Sequence, residues 1–338
     1  MNKDLQIQTG TLRLGFVGTG WIGCSRMKAL KECGIVDTAI ISDISDERIR
    51  EAASIYQDHV ICRTLDEVIS LEPDGIVIAT PNAFHVQQAC AALEAGIPVF
   101  CQKPLGRNCK ETGQVISLAS QKNCLLDIDM SYRYLEASRH FRNILQNGEI
   151  GEIYAVDAVF HNAYGPDKKW FYDPALSGGG CLIDLGVHLI DLILWLFGFP
   201  DIYEIWGKLF CGGQRYKRKN GKVEDYAVVR MELETGCNVN IACSWNLNAG
   251  TDAIIRLNMY GKNGGLSFYN LNGSFYNFRA EKYMNTSRQV LCSPPDDWWG
   301  RAINKWAQKL SANCEFDKSV GQIENTALII DTIYNNAD

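Results

Sequence analysis

Residues 178–198 read GGGCLIDLGVHLIDLILWLFG, the longest apolar run in the chain, and three polar residues interrupt it: Asp184, His188 and Asp191. They stand at i, i+4 and i+7, which at about 3.6 residues per turn places them on one stripe of a helix. An imidazole titrating near pH ~6.5 suits proton transfer at neutral pH, and a carboxylate one turn away can hold a hydroxyl or the ring itself. The plainer alternative is a structural polar cluster. A membrane span is the weaker reading, because intramembrane carboxylates are costly and the run has neither a second span nor basic flanks.

A second group of residues suits phosphate. Gly18-Thr19-Gly20-Trp21-Ile22-Gly23 is a G-x-G-x-x-G that follows an apolar strand and opens a helix. The first glycine permits a tight turn, the second lets the backbone approach a pyrophosphate, the third lets helix and strand pack, and the helix N-terminus adds partial positive charge. A bare glycine turn would explain these residues as well. It would not explain Asp43, which ends the next strand 25 residues after Gly18, where a carboxylate accepts the hydroxyls of an adenosine ribose. In a doubly wound sheet the carboxyl ends of the strands line the ligand crevice, so Thr80, Pro81, Asn82, His85, Gln102 and Lys103 belong beside the cofactor. For Lys103 and His85 the alternative is an ordinary surface position.

The elements that must position these groups change rhythm along the chain. From 12 to about 128, short apolar runs alternate with helical patterns at 21–33, 46–57, 83–96 and 108–121, the signature of βαβ units around a buried parallel sheet. After a helical segment at 135–147 come alternating strands at 152–162, 203–211, 224–234, 237–246, 254–261 and 265–279, which predict an open, mostly antiparallel sheet. The helix at 180–197 and two more near 298–311 and 319–335 are expected to cover one face of it. The fold class is therefore α/β, with an N-terminal dinucleotide-binding domain over 1–130 and a substrate-binding and oligomerisation domain over 131–338.

Composition narrows the partners. With 338 residues, 46% of them hydrophobic, the chain can bury two cores. A net charge of -6 excludes nucleic acid and anionic membrane surfaces as main partners, and RYKRKNGK at 215–222 reads as a solvated hairpin loop. Thirteen cysteines, an odd count without Cys-x-x-Cys spacing, sit mostly in apolar stretches as small hydrophobes. No metal site is expected. The opening MNKDLQIQTG lacks the pattern of a signal peptide, and the expected compartment is the reducing cytoplasm.

Taken in order, Gly18 to Gly23, Ala79-Thr80-Pro81-Asn82 with His85, Lys103-Pro104, and Gly178-Gly179-Gly180 followed by Asp184, Gly186, His188 and Asp191 resemble the Gfo/Idh/MocA family of NAD(P)-dependent sugar and cyclitol oxidoreductases. The resemblance runs from about 12 to 200 and returns in the closing helix, 318–336. It implies a Rossmann domain with a parallel sheet followed by an α/β domain with an open antiparallel sheet. It also implies that the polar stripe faces the nicotinamide, with His188 as base, Lys103 stabilising alkoxide charge and Asp184 holding the substrate hydroxyl or the imidazole. Tyr132, Arg133 and Trp170 are candidates for substrate contact, the alternative for the aromatics being packing. One departure stands out: the family usually has Glu before Lys-Pro, and this chain has Gln102, which puts in doubt any role requiring a carboxylate there.

Two activities fit these residues. One is a dehydrogenase or reductase acting on a sugar, cyclitol or nucleotide-sugar hydroxyl. The other retains tightly bound NAD and uses transient oxidation for glycosidic cleavage, elimination or epimerisation. Asp43 followed by ISDER favours NAD over NADP, and a sheet covered on one face favours a homo-oligomer, dimer or tetramer.

Overall fold

Continuous apolar strands need cover on both faces, alternating ones on only one, and the chain uses each kind in its own region. The computed structural model describes residues 11–217 and 221–336; the N-terminal decapeptide and the middle of the basic loop, 218–220, lie outside the described residues. Contacts divide the chain into two compact units. The first comprises the chain up to Leu105, Gly113–Asp129 and Gly300–Val320; the second comprises Gly106–Thr112, Met130–Trp299 and the chain from Gly321 onward.

The elements up to residue 128 are β1 (Leu12–Val17), α1 (Trp21–Cys33), β2 (Val36–Ser42), α2 (Asp46–Ala53), β3 (His59–Cys62), α3 (Leu65–Ser70), β4 (Gly75–Ile78), α4 (Asn82–Glu94), β5 (Val99–Cys101), α5 (Cys109–Gln121) and β6 (Leu126–Ile128). Then follow α6 (Glu136–Gln146), β7 (Ile153–Asn162), α7 (Pro174–Ser177), α8 (Val187–Phe197), β8 (Ile202–Cys211), β9 (Gln214–Arg215), β10 (Tyr226–Leu233), β11 (Asn238–Ser244), β12 (Ala253–Gly261), β13 (Gly264–Asn270), β14 (Phe278–Met284), β15 (Ser287–Cys292), α9 (Arg301–Ala312) and α10 (Ile323–Asn335).

In the first unit six parallel strands run in the order β3-β2-β1-β4-β5-β6. All four residues of β4 are buried, as a strand between helices on both faces requires. Strand order reverses between β1 and β4, the switch point at which such sheets open a crevice. The α9 helix, expected over the second sheet, packs in this unit instead. Its Trp306 ring lies 5.6 Å from Phe100, and a Cβ on Gly75 would stand 2.8 Å from that same ring. An apolar face shows that a helix is buried but not which sheet buries it.

In the second unit nine strands run in the order β15-β14-β13-β12-β7-β11-β10-β8-β9, all antiparallel except the β7/β11 pair. Buried and open residues alternate along β10 and β12, so one face is covered and the other is not. Contacts on the covered face include α6, through Phe141 against Phe268, and α10, through Ile333 at 2.6 Å from the Cβ position of Gly207. The single strand expected over 265–279 is two, because Asn272 and Gly273 take positive φ (52° and 73°) and turn the chain between β13 and β14.

The apolar run also departs from a plain α-helix. Leu182–Gly186 form a π-turn, and α8 follows directly, ending at Gly198 in the left-handed region with φ 79°. The stretch Pro174–Phe197 is long and apolar enough to cross a membrane, but 78% of its most apolar window is buried inside the protein. It is a core helix.

Candidate functional site

The first unit supplies a dinucleotide cradle at the carboxyl ends of its strands. Gly18 has φ +85°, and a Cβ there would lie 2.7 Å from the Ala79 carbonyl; a Cβ on Gly23 would lie 2.2 Å from the Gly18 oxygen. Both glycines are thus fixed by close backbone approach. Around Gly20 the space is open. The α1 N-terminus, Trp21 and Ile22 included, has no side-chain cap and no acid in its first turn, so its positive end is left for an anion. Asp43 stands beside this loop: Oδ2 accepts from the Thr19 N–H at 2.7 Å and Oδ1 from the Ser45 N–H at 2.9 Å. The next residue, Ile44, is fully exposed and offers no cation. Those features fit a dinucleotide.

Farther along the strand ends, Thr80 donates its hydroxyl to Gln88 at 2.6 Å, and Asn82 is buried at the start of α4. His85 stands in the first turn of α4. Its ring is buried, with Nδ1 2.7 Å from the Pro104 oxygen and Nε2 2.7 Å from the Thr80 oxygen, so it joins the ends of β4 and β5 around Lys103. Burial pulls its pKa below the usual imidazole range, while the two carbonyls push the other way.

Gln102 is bonded to the carboxylate that its own position lacks. Its amide donates to Asp129, whose Oδ2 also accepts from Arg26 Nε at 2.5 Å; Arg26 and Asp129 are almost wholly buried. Here a carboxylate reaches the residue before Lys103 from β6 rather than β5.

The second unit carries the polar stripe. Between Gly179 and Leu194 every residue is buried except Asp184 and His188. The preceding glycines exist for packing: a Cβ on Gly179 would meet the Tyr334 hydroxyl at 2.0 Å, and one on Gly180 would meet the Glu224 carbonyl at 1.8 Å. Asp184 accepts from Trp245 Nε1 at 3.2 Å, and the His188 ring lies 4.9 Å from Tyr132 and 6.4 Å from Phe160. Tyr132, a candidate for ligand contact or for packing, is buried among His188, Phe160, Phe278 and Trp298, and burial pushes its phenol up.

Arg133 and Asp191 form a bidentate pair at 2.7 and 2.5 Å, with the guanidinium over Phe199. The third residue of the stripe therefore turns to an ion pair with Arg133. Trp170 stacks on Phe171 at 3.8 Å, and Phe171 and Tyr172 both pack edge-on against Trp245. An apolar cleft of about 480 Å³ is lined by Phe210, Asp225, Tyr226, Trp245 and Leu247, among others. Trp245, Glu224 and Asp129 escape sequence reading because each meets a partner far away along the chain, with several helical or strand elements between. The one available signal is that Trp245 and Asp129 follow strand ends.

Residues 12–130 match the oxidoreductase family with an NAD-binding Rossmann fold, and residues 138–267 match the GFO/IDH/MocA C-terminal domain. The D-glucoside 3-dehydrogenase of Escherichia coli (strain K12) is 25% identical over 272 residues, covering 76% of this chain and 77% of its own. The inositol 2-dehydrogenase of Acidiphilium cryptum (strain JF-5) is 28% identical over 259 residues, 75% and 73% of the two chains. Among solved structures, GenD2 from gentamicin A biosynthesis, in complex with NAD, superposes with a TM-score of 0.80 at 23% identity, covering 97% of this chain and 94% of that one. The 3-ketoreductase KijD10 from Actinomadura kijaniata, in complex with NADP and TDP-benzene, gives 0.83 at 16% identity over 97% and 98%. These two likenesses are of fold.

The buried Arg26–Asp129 pair yields a stability prediction. Arg26→Met takes the guanidinium away from a buried carboxylate, and breaking such a pair costs about 3–5 kcal/mol. The urea midpoint of the first unit is expected to fall accordingly. Adding Asp129→Asn removes the stranded charge, so the double variant is expected to recover part of the loss; a double variant worse than Arg26→Met alone would show that the pair's charge is not the issue.

Proposed function

Because the chain belongs to the GFO/IDH/MocA family of oxidoreductases, we propose that it moves hydride between NAD and a secondary hydroxyl or keto group of a sugar, cyclitol or nucleotide sugar. The observation that carries the reading is the buried helix whose only unburied residues between Gly179 and Leu194 are Asp184 and His188. Burial of every other position makes the exposure of a proton acceptor and a carboxylate a property of the site rather than of the surface. The names of the two curated relatives, a glucoside and an inositol dehydrogenase, support the substrate class.

When bound, the dinucleotide supplies the hydride chemistry. Gly18, Gly20, Gly23 and the α1 N-terminus hold its pyrophosphate, and Asp43 takes the adenosine ribose hydroxyls. For the substrate, His188 removes the hydroxyl proton as oxidation proceeds, and returns it in the reverse direction. Lys103 donates to the same oxygen and offsets the negative charge that develops there. Asp184, steadied by Trp245, accepts from the reacting or a neighbouring hydroxyl. Tyr132 limits how the His188 ring can turn, and Trp170 offers a flat face to the sugar. The open face of the second sheet, with Trp206 and Tyr260 exposed, supports assembly into a homo-oligomer.

Three outcomes check this reading. With a panel of sugars, cyclitols and nucleotide sugars plus free NAD, the protein is expected to accumulate reduced dinucleotide, and His188→Ala or Lys103→Ala to cut kcat by about 10²–10⁴-fold while dinucleotide affinity holds. Turnover without net reduced cofactor would favour transient oxidation instead. In equilibrium titrations NAD is expected to bind at least about tenfold tighter than NADP, because Asp43 repels a 2'-phosphate and Ile44 cannot pair with one; equal constants would refute the preference. Sedimentation at micromolar concentration is expected to show a dimer or larger species, and a monomer would remove the assembly.

A further inference from the structure

Glu224 lies just before β10, fully buried, at the start of the helix that carries Asp184 and His188. Its carboxylate accepts from the Gly180 N–H at 3.0 Å through Oε2 and from the Leu182 N–H at 2.9 Å through Oε1, while its main-chain oxygen accepts from the Cys181 N–H at 3.0 Å. One residue thus takes three consecutive N–H groups of the helix's first turn. The Tyr334 hydroxyl, from α10, donates to Oε1 at 2.8 Å and packs on Gly179. No side chain within the helix caps this turn. A buried helix start needs acceptors, yet a serine or asparagine cap would satisfy it without burying a charge.

We propose that Glu224 is a positioning residue: its ionised carboxylate, held by Tyr334, fixes the Gly180–Leu182 turn and thereby sets where Asp184 and His188 stand for proton transfer. Asp184 lies two residues beyond Leu182, in the π-turn, and His188 one turn further, so a shift of the anchored turn is passed to both. The inference rests on the proposed roles of those two residues.

Ionisation matters because of the donor count. Each carboxylate oxygen faces at least one fixed donor, and a neutral carboxyl accepts from those donors more weakly than a carboxylate does, so protonation loosens the anchor. Burial raises the Glu224 pKa to about 6, with the bonds from Leu182, Tyr334 and Gly180 opposing the rise. The titratable groups around it are Tyr334 on α10, Cys181 at the helix start, Cys211 at the end of β8, Tyr216 beyond β9, the adjoining Asp225 and Lys222, which acts on Cys211. Tyr334 and Cys181 are themselves pushed up and stay neutral when Glu224 titrates. The raised pKa means that the protonated form stabilises the fold fully below the usual glutamate range, and that this contribution is lost as pH rises through about 6. Activity follows the opposite course. The chain keeps the less stable, ionised form at neutral pH.

The test is the pH profile of kcat in the full-length enzyme with NAD and a turned-over sugar. In the unaltered protein two groups, His188 and Glu224, shape the acid limb. Tyr334→Phe removes one hydroxyl, keeps the ring's packing and takes away one of the bonds that favour the carboxylate. Its acid limb is expected to move up by about 0.5–1 pH unit, with kcat on the plateau and dinucleotide binding within about twofold of the parent. Glu224→Gln, which places an amide N–H2 against a backbone N–H at every pH, is expected to lower kcat about 10- to 100-fold, leave the KM and dinucleotide affinity nearly unchanged, and show an acid limb set by one group. A Tyr334→Phe limb that stays in place, with His188→Ala inactive, overturns the inference alone. Retained turnover in His188→Ala overturns the base assignment, and this inference with it.

Discussion

A helix buried on nearly every side has no water for the N–H groups of its first turn, and that constraint organises the second unit. The acceptors must come from protein atoms fixed in space. Glu224 supplies them through both its side chain and its main chain. Close docking of that residue leaves no room for side chains at Gly179 and Gly180, which is why the chain spends glycines where a helix would ordinarily begin. From the anchored turn the π-turn and α8 follow, with Asp184 and His188 as the positions left uncovered.

The first unit solves a related problem at Asp129. A carboxylate with side-chain exposure of 0% is tolerable only when charge and hydrogen bonds are returned to it, and Arg26 from α1 and Gln102 from the end of β5 do both. Together they tie the helix that begins at the glycine loop to the end of β5, just before Lys103. His85 adds a second tie between strand ends through two carbonyls. Neutral Gln102 is therefore no gap in the site: an amide can donate to Asp129, which a glutamate at 102 could not do while ionised.

Much of this was legible in the sequence where it depended on neighbours along the chain. The glycine loop, Asp43 at the end of β2, the parallel-then-antiparallel rhythm and the stripe at 184 and 188 follow from local spacing, and the structure has each of these elements. What spacing could not tell was the partner. The apolar face of α9 was visible, but its docking on Gly75 and Phe100 depends on a sheet more than two hundred residues earlier. Trp245 and Glu224 read as strand-end residues until the fold brings them to Asp184 and Gly180. The π-turn likewise has no signature in apolar periodicity, since one extra residue per turn leaves an all-buried run looking the same.

The stripe itself shows why residue type and spacing stop short of role. Asp184 and Asp191 are both carboxylates on one helix and one face in sequence, yet Asp184 accepts from an indole N–H and stays partly open, while Asp191 is buried against a bidentate guanidinium. The difference lies in what each meets. An indole is a neutral donor and leaves the Asp184 charge in place, whereas Arg133 takes both Asp191 oxygens and neutralises the charge. Such a pair adds little net stability over an apolar contact of the same size, but it admits one geometry, and it fixes α8 against the turn that carries Tyr132. Tyr132 in turn packs on His188. The buried carboxylate thus orients the imidazole through a chain of contacts that runs from Asp191 through Arg133 and Tyr132 to His188.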